Sequence, residues 1–224
     1  MALTQHWKLD EVSGTTATAT VGTNGTYARD ASLTTSATGP GTAIVASQLF
    51  VAASSDCVTI SGVSFATTVP FSIGLWIKPT TLAANLALIG INGSAESSID
   101  LTSATVVRVR VGAGSAINFT VPAITTTDWS FILVTKAASD NVRVFKNGTE
   151  SSTAAQAGGN NAMVPTRIGL RNTTFYGGNV AWVKVFNSDE SENAATLYAE
   201  KTAAVSITDS LGALSLLGLN ELYQ

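Results

Sequence analysis

The chain has little of what most site chemistry requires. Its 224 residues include one cysteine, Cys57, and one histidine, His6. A lone thiol forms no intrachain disulfide, which excludes a stapled scaffold. A lone imidazole excludes multi-histidine metal sites and leaves little room for histidine acid–base work. Charged residues are 12% of the chain, against roughly 25% in ordinary soluble domains. The 12 basic and 15 acidic residues are scattered singly, for a net charge of −3. With no basic run, the electrostatic footprint of a nucleic-acid binder is missing. Hydrophobic residues are 45% and mean hydropathy is +0.28, yet no apolar run reaches the roughly 18 residues of a membrane span. The opening Met1–Asp10 lacks the apolar region and cleavage site of a secretory signal, so synthesis in the cytoplasm is expected.

Alternation is abundant. Val107-Arg108-Val109-Arg110-Val111 places valines on one face and arginines on the other, and Val142–Lys146 repeats the pattern. Phe71–Lys78, Trp129–Val134 and Val180–Phe186 are more apolar on both faces, as central strands are. Asn147-Gly148 is the dipeptide of a type I′ hairpin turn, and Asn24-Gly25, Asn92-Gly93 and Gly177-Gly178 punctuate other loops. Short strands at this spacing predict an all-β antiparallel sandwich, not βαβ units. Helix is expected over Ser191–Thr202, behind the acidic Asp189-Glu190-Ser191-Glu192. One domain spans 1–202. The segment 203–224 carries Leu211, Leu214, Leu216, Leu217, Leu219 and Leu222; so apolar a tail must cover its own sandwich or dock on another subunit.

Several segments together resemble the laminin-G-like, concanavalin A-like jelly-roll family. His6-Trp7-Lys8-Leu9-Asp10-Glu11-Val12-Ser13-Gly14 is similar to its opening strand, and Pro70–Pro79 to its Phe-Thr-Ile-x-x-Trp-Ile-Lys-Pro strand. Asp128–Val134 with Val142–Gly148 resembles its Trp strand and Asn-Gly hairpin, and Tyr176–Asn187 its closing strands. The resemblance covers residues 3–200 and implies a concanavalin A-like jelly-roll β-sandwich, beyond which the chain is expected to end in a short helical or extended tail. Where the family often has Gly-x-Ile-Asp-Glu, this chain has Gly178-Asn179-Val180-Ala181-Trp182. The missing carboxylates weaken any carry-over of the Ca²⁺ site of some relatives. Calcium needs several oxygen ligands, for which Asp10, Glu11, Asp30 and Asp56 are the only acids in the first third; no cofactor is expected.

The same family includes glucanases, whose signature is Glu-x-Asp-x-x-Glu. Glu96-Ser97-Ser98-Ile99-Asp100 has the wrong spacing and no third acid. A Gly-x-Ser-x-Gly elbow is absent, so no catalytic residue is assigned. Trp7, Trp76, Trp129 and Trp182 lie in strands, where packing is the ordinary use of an indole. Tyr27, Phe175 and Tyr176 stand nearer loops and are the candidate sugar-binding aromatics. Arg108, Arg110 and Arg143 face outward and offer a binding face, with Arg108 and Arg110 the candidate ligand contacts. The expectation is a non-catalytic structural or adhesion component on the surface of a virus (phage) particle, a capsid decoration or fibre protein. Its partners would be other virion or capsid proteins, further copies of itself and a cell-surface glycan. The alternative is a carbohydrate-binding lectin-like module of a bacterial surface or secreted protein.

Overall fold

The strand Phe71–Pro79 shows how the alternation is spent. Phe71, Ile73, Leu75 and Ile77 enter the main core, while Ser72, Gly74 and Trp76 point the other way. It pairs with Ser130–Lys136 on one side and Gly178–Phe186 on the other, both antiparallel. Together they centre a ten-stranded sheet (sheet I) that extends through Asn141–Lys146 at one side and Leu3–Trp7 at the other. An eight-stranded sheet (sheet II) runs in the order Ile117–Thr120, Val106–Arg110, Ser94–Ser103, Leu86–Ile91, Arg167–Ile168, Cys57–Thr59, Gly25–Ala28, Thr16–Ala17. The inner faces share one core, in which Trp7, Phe71, Ile99, Phe119 and Tyr176 are fully or almost fully buried. The computed structural model describes residues 2–28, 35–36 (as backbone), 38–82 and 85–202. The sandwich expected from the alternation is therefore present, and the six leucines of 203–224 lie outside the described residues.

Sheet I is apolar on its outer face as well. Trp76, Phe131, Leu133, Phe145, Trp182 and Phe186 form a second buried cluster there, closed by Ala194 and Leu197 of the helix Ala194–Ala199 and by Ile44. Trp76 stacks on Tyr198 at 5.5 Å, and the Lys201 ammonium sits 4.0 Å from the Tyr198 ring. A bulge in Gly178–Phe186 turns both Ala181 and Trp182 outward, with Trp182 at φ 40°. The expected helix over Ser191–Thr202 is shorter, a 3-10 turn Ser191–Asn193 leading into six α-helical residues. Asp189 Oδ1 accepts the Ser191 amide at 3.0 Å. The helix owes its existence to this packing more than to propensity, since so short a helix is marginal alone. Asn147 and Gly148 both take positive φ, at 54° and 80°, as the expected I′ turn requires.

Two polar groups are sealed into this frame. Lys136 is fully buried at the end of the core, where Nζ donates to the Thr67 carbonyl at 2.8 Å and lies 3.3 Å from Asp140. Asp140 Oδ2 in turn accepts the amides of Gly159 and Asn160 at 2.9 Å each, tying down that loop. His6 packs edge-on against Trp182 at 5.1 Å, with Nδ1 2.8 Å from Thr20 Oγ1. Burial, then Lys184 and Lys8, lower its pKa from 6.5 to about 3.

The hairpin of Leu170–Arg171 and Thr174–Phe175 lies against the strand Leu86–Ile91 of sheet II. Gly90 permits this approach, for a Cβ there would stand 2.7 Å from both Arg171 Cβ and the Leu170 carbonyl. Gly90→Ala is expected to push the hairpin away and cost about 1–3 kcal/mol, read as a lowered urea midpoint. A second expectation follows from His6. The unfolded imidazole takes up its proton near pH 6.5 and the folded one near 3, so stability is lost as pH falls between those values. The loss is on the order of 1 kcal/mol per pH unit. Urea titrations at neutral pH and at about pH 4.5 should show a smaller acid loss for His6→Gln than for the parent chain.

Candidate functional site

On the outer face of sheet II a buried carboxylate organises the surface. Asp100 lies in the strand Ser94–Ser103, directly opposite Arg108, and is 0% exposed. Arg108 Nε donates to Asp100 Oδ2 at 3.1 Å, and Arg108 Nη2 donates to Asn85 Oδ1 at 3.3 Å. Arg171, brought over by the hairpin, places Nε 2.8 Å from Asp100 Oδ1, an ion pair whose alignment falls short of a hydrogen bond. Burial pushes the Asp100 carboxyl up from its ordinary value, while Arg171 and then Arg108 pull it back down. Removing one partner from such a pair leaves a buried charge exposed to its full desolvation cost, about 3–5 kcal/mol. The two guanidiniums are therefore held in fixed orientation on a rigid sheet.

Arg110 stands beside them without such a partner. It follows Arg108 by two residues on the same face and lies opposite Ser98. Its Nε is buried and has no hydrogen-bond partner among the described residues. Arg108 also faces Asn118 across the pair with Ile117–Thr120, and both Asn118 and Thr120 are exposed. The expected outward placement of Arg108 and Arg110 is thus observed. Arg143, expected with them, is on sheet I, where it pairs with Glu150 at 3.7 Å.

The aromatic candidates divide. Tyr27 was expected near a loop; it lies in the strand Gly25–Ala28, is 5% exposed in the core, and its hydroxyl donates to Glu11 at 2.7 Å. Tyr176 is fully buried against Phe50, with its hydroxyl 3.3 Å from the Asn179 carbonyl. Both are corrected to packing residues, because flanking glycines give loop-like sequence around rings that the core requires. Phe175 alone remains half-exposed, on the hairpin that carries Arg171.

Of the four acids considered for calcium, the three that are described do not form a cluster. Asp10 is exposed, Glu11 takes the Thr18 amide and the Tyr27 hydroxyl, and the buried Asp56 accepts the Val51 amide at 2.8 Å. Asp30 lies outside the described residues. No group of three or more His, Cys, Asp or Glu side chains occurs among the described residues. Cys57 is buried, and burial raises its thiol pKa. Of the two acids nearest a glucanase pattern, Asp100 is engaged by arginines and Glu96 is exposed. The site residues missed from sequence are Arg171, Asn85 and Asn118. Only Asn118 had a local signal, the alternation Ile117-Asn118-Phe119-Thr120.

No curated protein sequence matches the chain. Among solved structures, the binding domain of Paraclostridial Mosquitocidal Protein 1 is similar, with a TM-score of 0.65 at 14% identity over 88% of this chain and 52% of that one. Domain 4 of a GH43 extracellular arabinanase from Geobacillus stearothermophilus, in complex with arabinotriose, gives 0.58 at 14% identity over 88% and 98%. Trypanosoma rangeli sialidase gives 0.60 at 13% over 88% and 32%. The chain thus spans about half of the first of these and a third of the last, and at such identity the likeness is one of fold. No helix among the described residues is long and apolar enough to cross a membrane. A family profile described as the concanavalin A-like lectin/glucanases superfamily matches residues 52–194, the stretch that supplies the paired central strands and the arginine-bearing face. The chain belongs to the concanavalin A-like lectin/glucanases superfamily.

Proposed function

We propose that this chain is a non-catalytic adhesion domain that binds glycans on the outer face of sheet II and serves as a structural component of a virus (phage) particle. The observation that carries the glycan half is the fixed polar surface around Asp100. Hydroxyl-rich ligands are held by donors and acceptors kept in place by a rigid scaffold, and Arg108, Asn85 and Asn118 meet that need on strands or strand ends. The likeness to an arabinanase domain that holds arabinotriose supports the same reading. A non-catalytic role is supported by the engagement of Asp100 in two ion pairs, which leaves it no lone role as an acid or nucleophile. The particle half rests on sequence: a low-charge surface rich in Thr, Ser and Ala, and the leucines of 203–224. The same module on a bacterial surface or secreted protein is the second reading, favoured by the likeness to an extracellular enzyme's domain.

Titration calorimetry with an oligosaccharide panel is expected to find ligands that the chain binds and does not hydrolyse. Released reducing ends, or no binding to any member, would refute the glycan half. Light scattering of the full chain is expected to show an oligomer that dissociates when the chain is ended at Thr202. Mass spectrometry of purified particles separates the two carriers: absence of the chain there would leave the bacterial module.

A further inference from the structure

The chain has six lysines and six arginines; Arg29 lies outside the described residues and Arg143 is on sheet I, and the structure sorts the rest. Lys78, Lys136, Lys146 and Lys184 are in strands of sheet I, Lys8 directly follows one, and Lys201 lies over its outer cluster. Sheet II and its hairpin carry no lysine; they carry Arg108, Arg110, Arg167 and Arg171. Against these four arginines, the strands of sheet II hold two carboxylates, Asp100 and Glu96. Asp100 is consumed internally by Arg108 and Arg171. A chain of net charge −3 therefore concentrates fork-shaped cations on one face. Lysine would supply the same charge as a point; arginine adds a planar pair of donors that matches a carboxylate or sulfate edge.

Arg110 supplies the specific vacancy. Among the described residues its Nε is buried without an acceptor, and no hydrogen bond or ion pair holds the rest of its half-exposed side chain, so an incoming acceptor must be met by its terminal nitrogens. Arg108, two residues away on the same extended strand, lies roughly 7 Å off along the backbone. Its Nε is bound to Asp100 and one terminal nitrogen to Asn85, so its head is oriented and not free to fold over Arg110. Phe175 is half-exposed on the hairpin that carries Arg171.

We propose that the ligands of this face are oxyanion-bearing glycans, with a carboxylate or sulfate group of the sugar accepting from the Arg110 guanidinium and Arg108 bordering it. The inference rests on the glycan-binding reading above and adds the ligand's charge. The test uses the full chain on an array of matched neutral, carboxylated and sulfated oligosaccharides, followed by calorimetry on the members that bind. Binding confined to acidic members is expected, weakening as salt rises from about 50 to about 500 mM. The carboxylated and sulfated arms tell which oxyanion is taken, and binding in either supports the site. Arg110→Gln is expected to lower affinity roughly tenfold or more with a thermal midpoint that does not fall, since no hydrogen bond or ion pair among the described residues is lost with Arg110. Arg110→Lys, which keeps the charge and loses the fork, should fall between, and Arg143→Gln on sheet I should leave affinity unaltered. Equal binding of neutral and acidic partners, or acidic binding indifferent to Arg110→Gln, overturns the anion site and leaves glycan binding standing. Failure to bind any glycan overturns both.

Discussion

A sheet that is apolar on both faces must be covered on both, and sheet I obeys that requirement. Its central strands turn Phe71, Ile73, Ile132 and Val183 toward sheet II, and Trp76, Phe131, Leu133 and Trp182 away from it. Leaving the second set in water would expose a contiguous aromatic patch of the kind soluble domains avoid. The helix Ala194–Ala199, with Ile44 and the Lys201 stem, closes it. The outer surface of sheet I is thereby used for stability, and the half-polar outer side of sheet II is left without such a cover. The division of labour between the faces follows from strand composition before any particular site is considered.

On that remaining face the geometry turns on one carboxylate. Asp100 is buried where hydration is lost, and the cost is offset by two guanidiniums arriving from different directions, one from the neighbouring strand and one from a hairpin that only Gly90 lets close enough. Such an arrangement is worth more as a device for holding orientation than as a source of stability, because desolvation consumes much of the attraction. It fixes Arg108 and Arg171 and leaves Arg110 beside them with unmet donor capacity. The same low-dielectric logic explains His6, whose neutral form is the one the sandwich tolerates.

Much of the architecture was legible from local pattern. Alternation marked the strands, Asn147-Gly148 marked its turn, and the outward aspect of Arg108 and Arg110 followed from the period of two. The aromatics were harder, since Tyr27 follows Asn24-Gly25 and Tyr176 precedes Gly177-Gly178, sequence that mimics loops, while their rings fill the core. Helix length was overestimated because the segment after Ser191 is helical only as far as the outer cluster needs covering. Arg143 has the same local pattern as Arg108 and belongs to the other sheet.

The one-dimensional order of residues was enough to dictate strand periodicity, the all-β class and the poverty of catalytic groups, because side-chain period and composition are local properties. Which strands became neighbours was decided only in three dimensions. Asp100, Arg108 and Arg171 are spread over 71 sequence positions and meet through sheet pairing and one hairpin. The lack of lysine on sheet II was decided there too, for nothing in a strand's own sequence says which layer it will join. Long-range pairing depends on how the buried faces fit one another, and that fit exists only in the assembled sandwich.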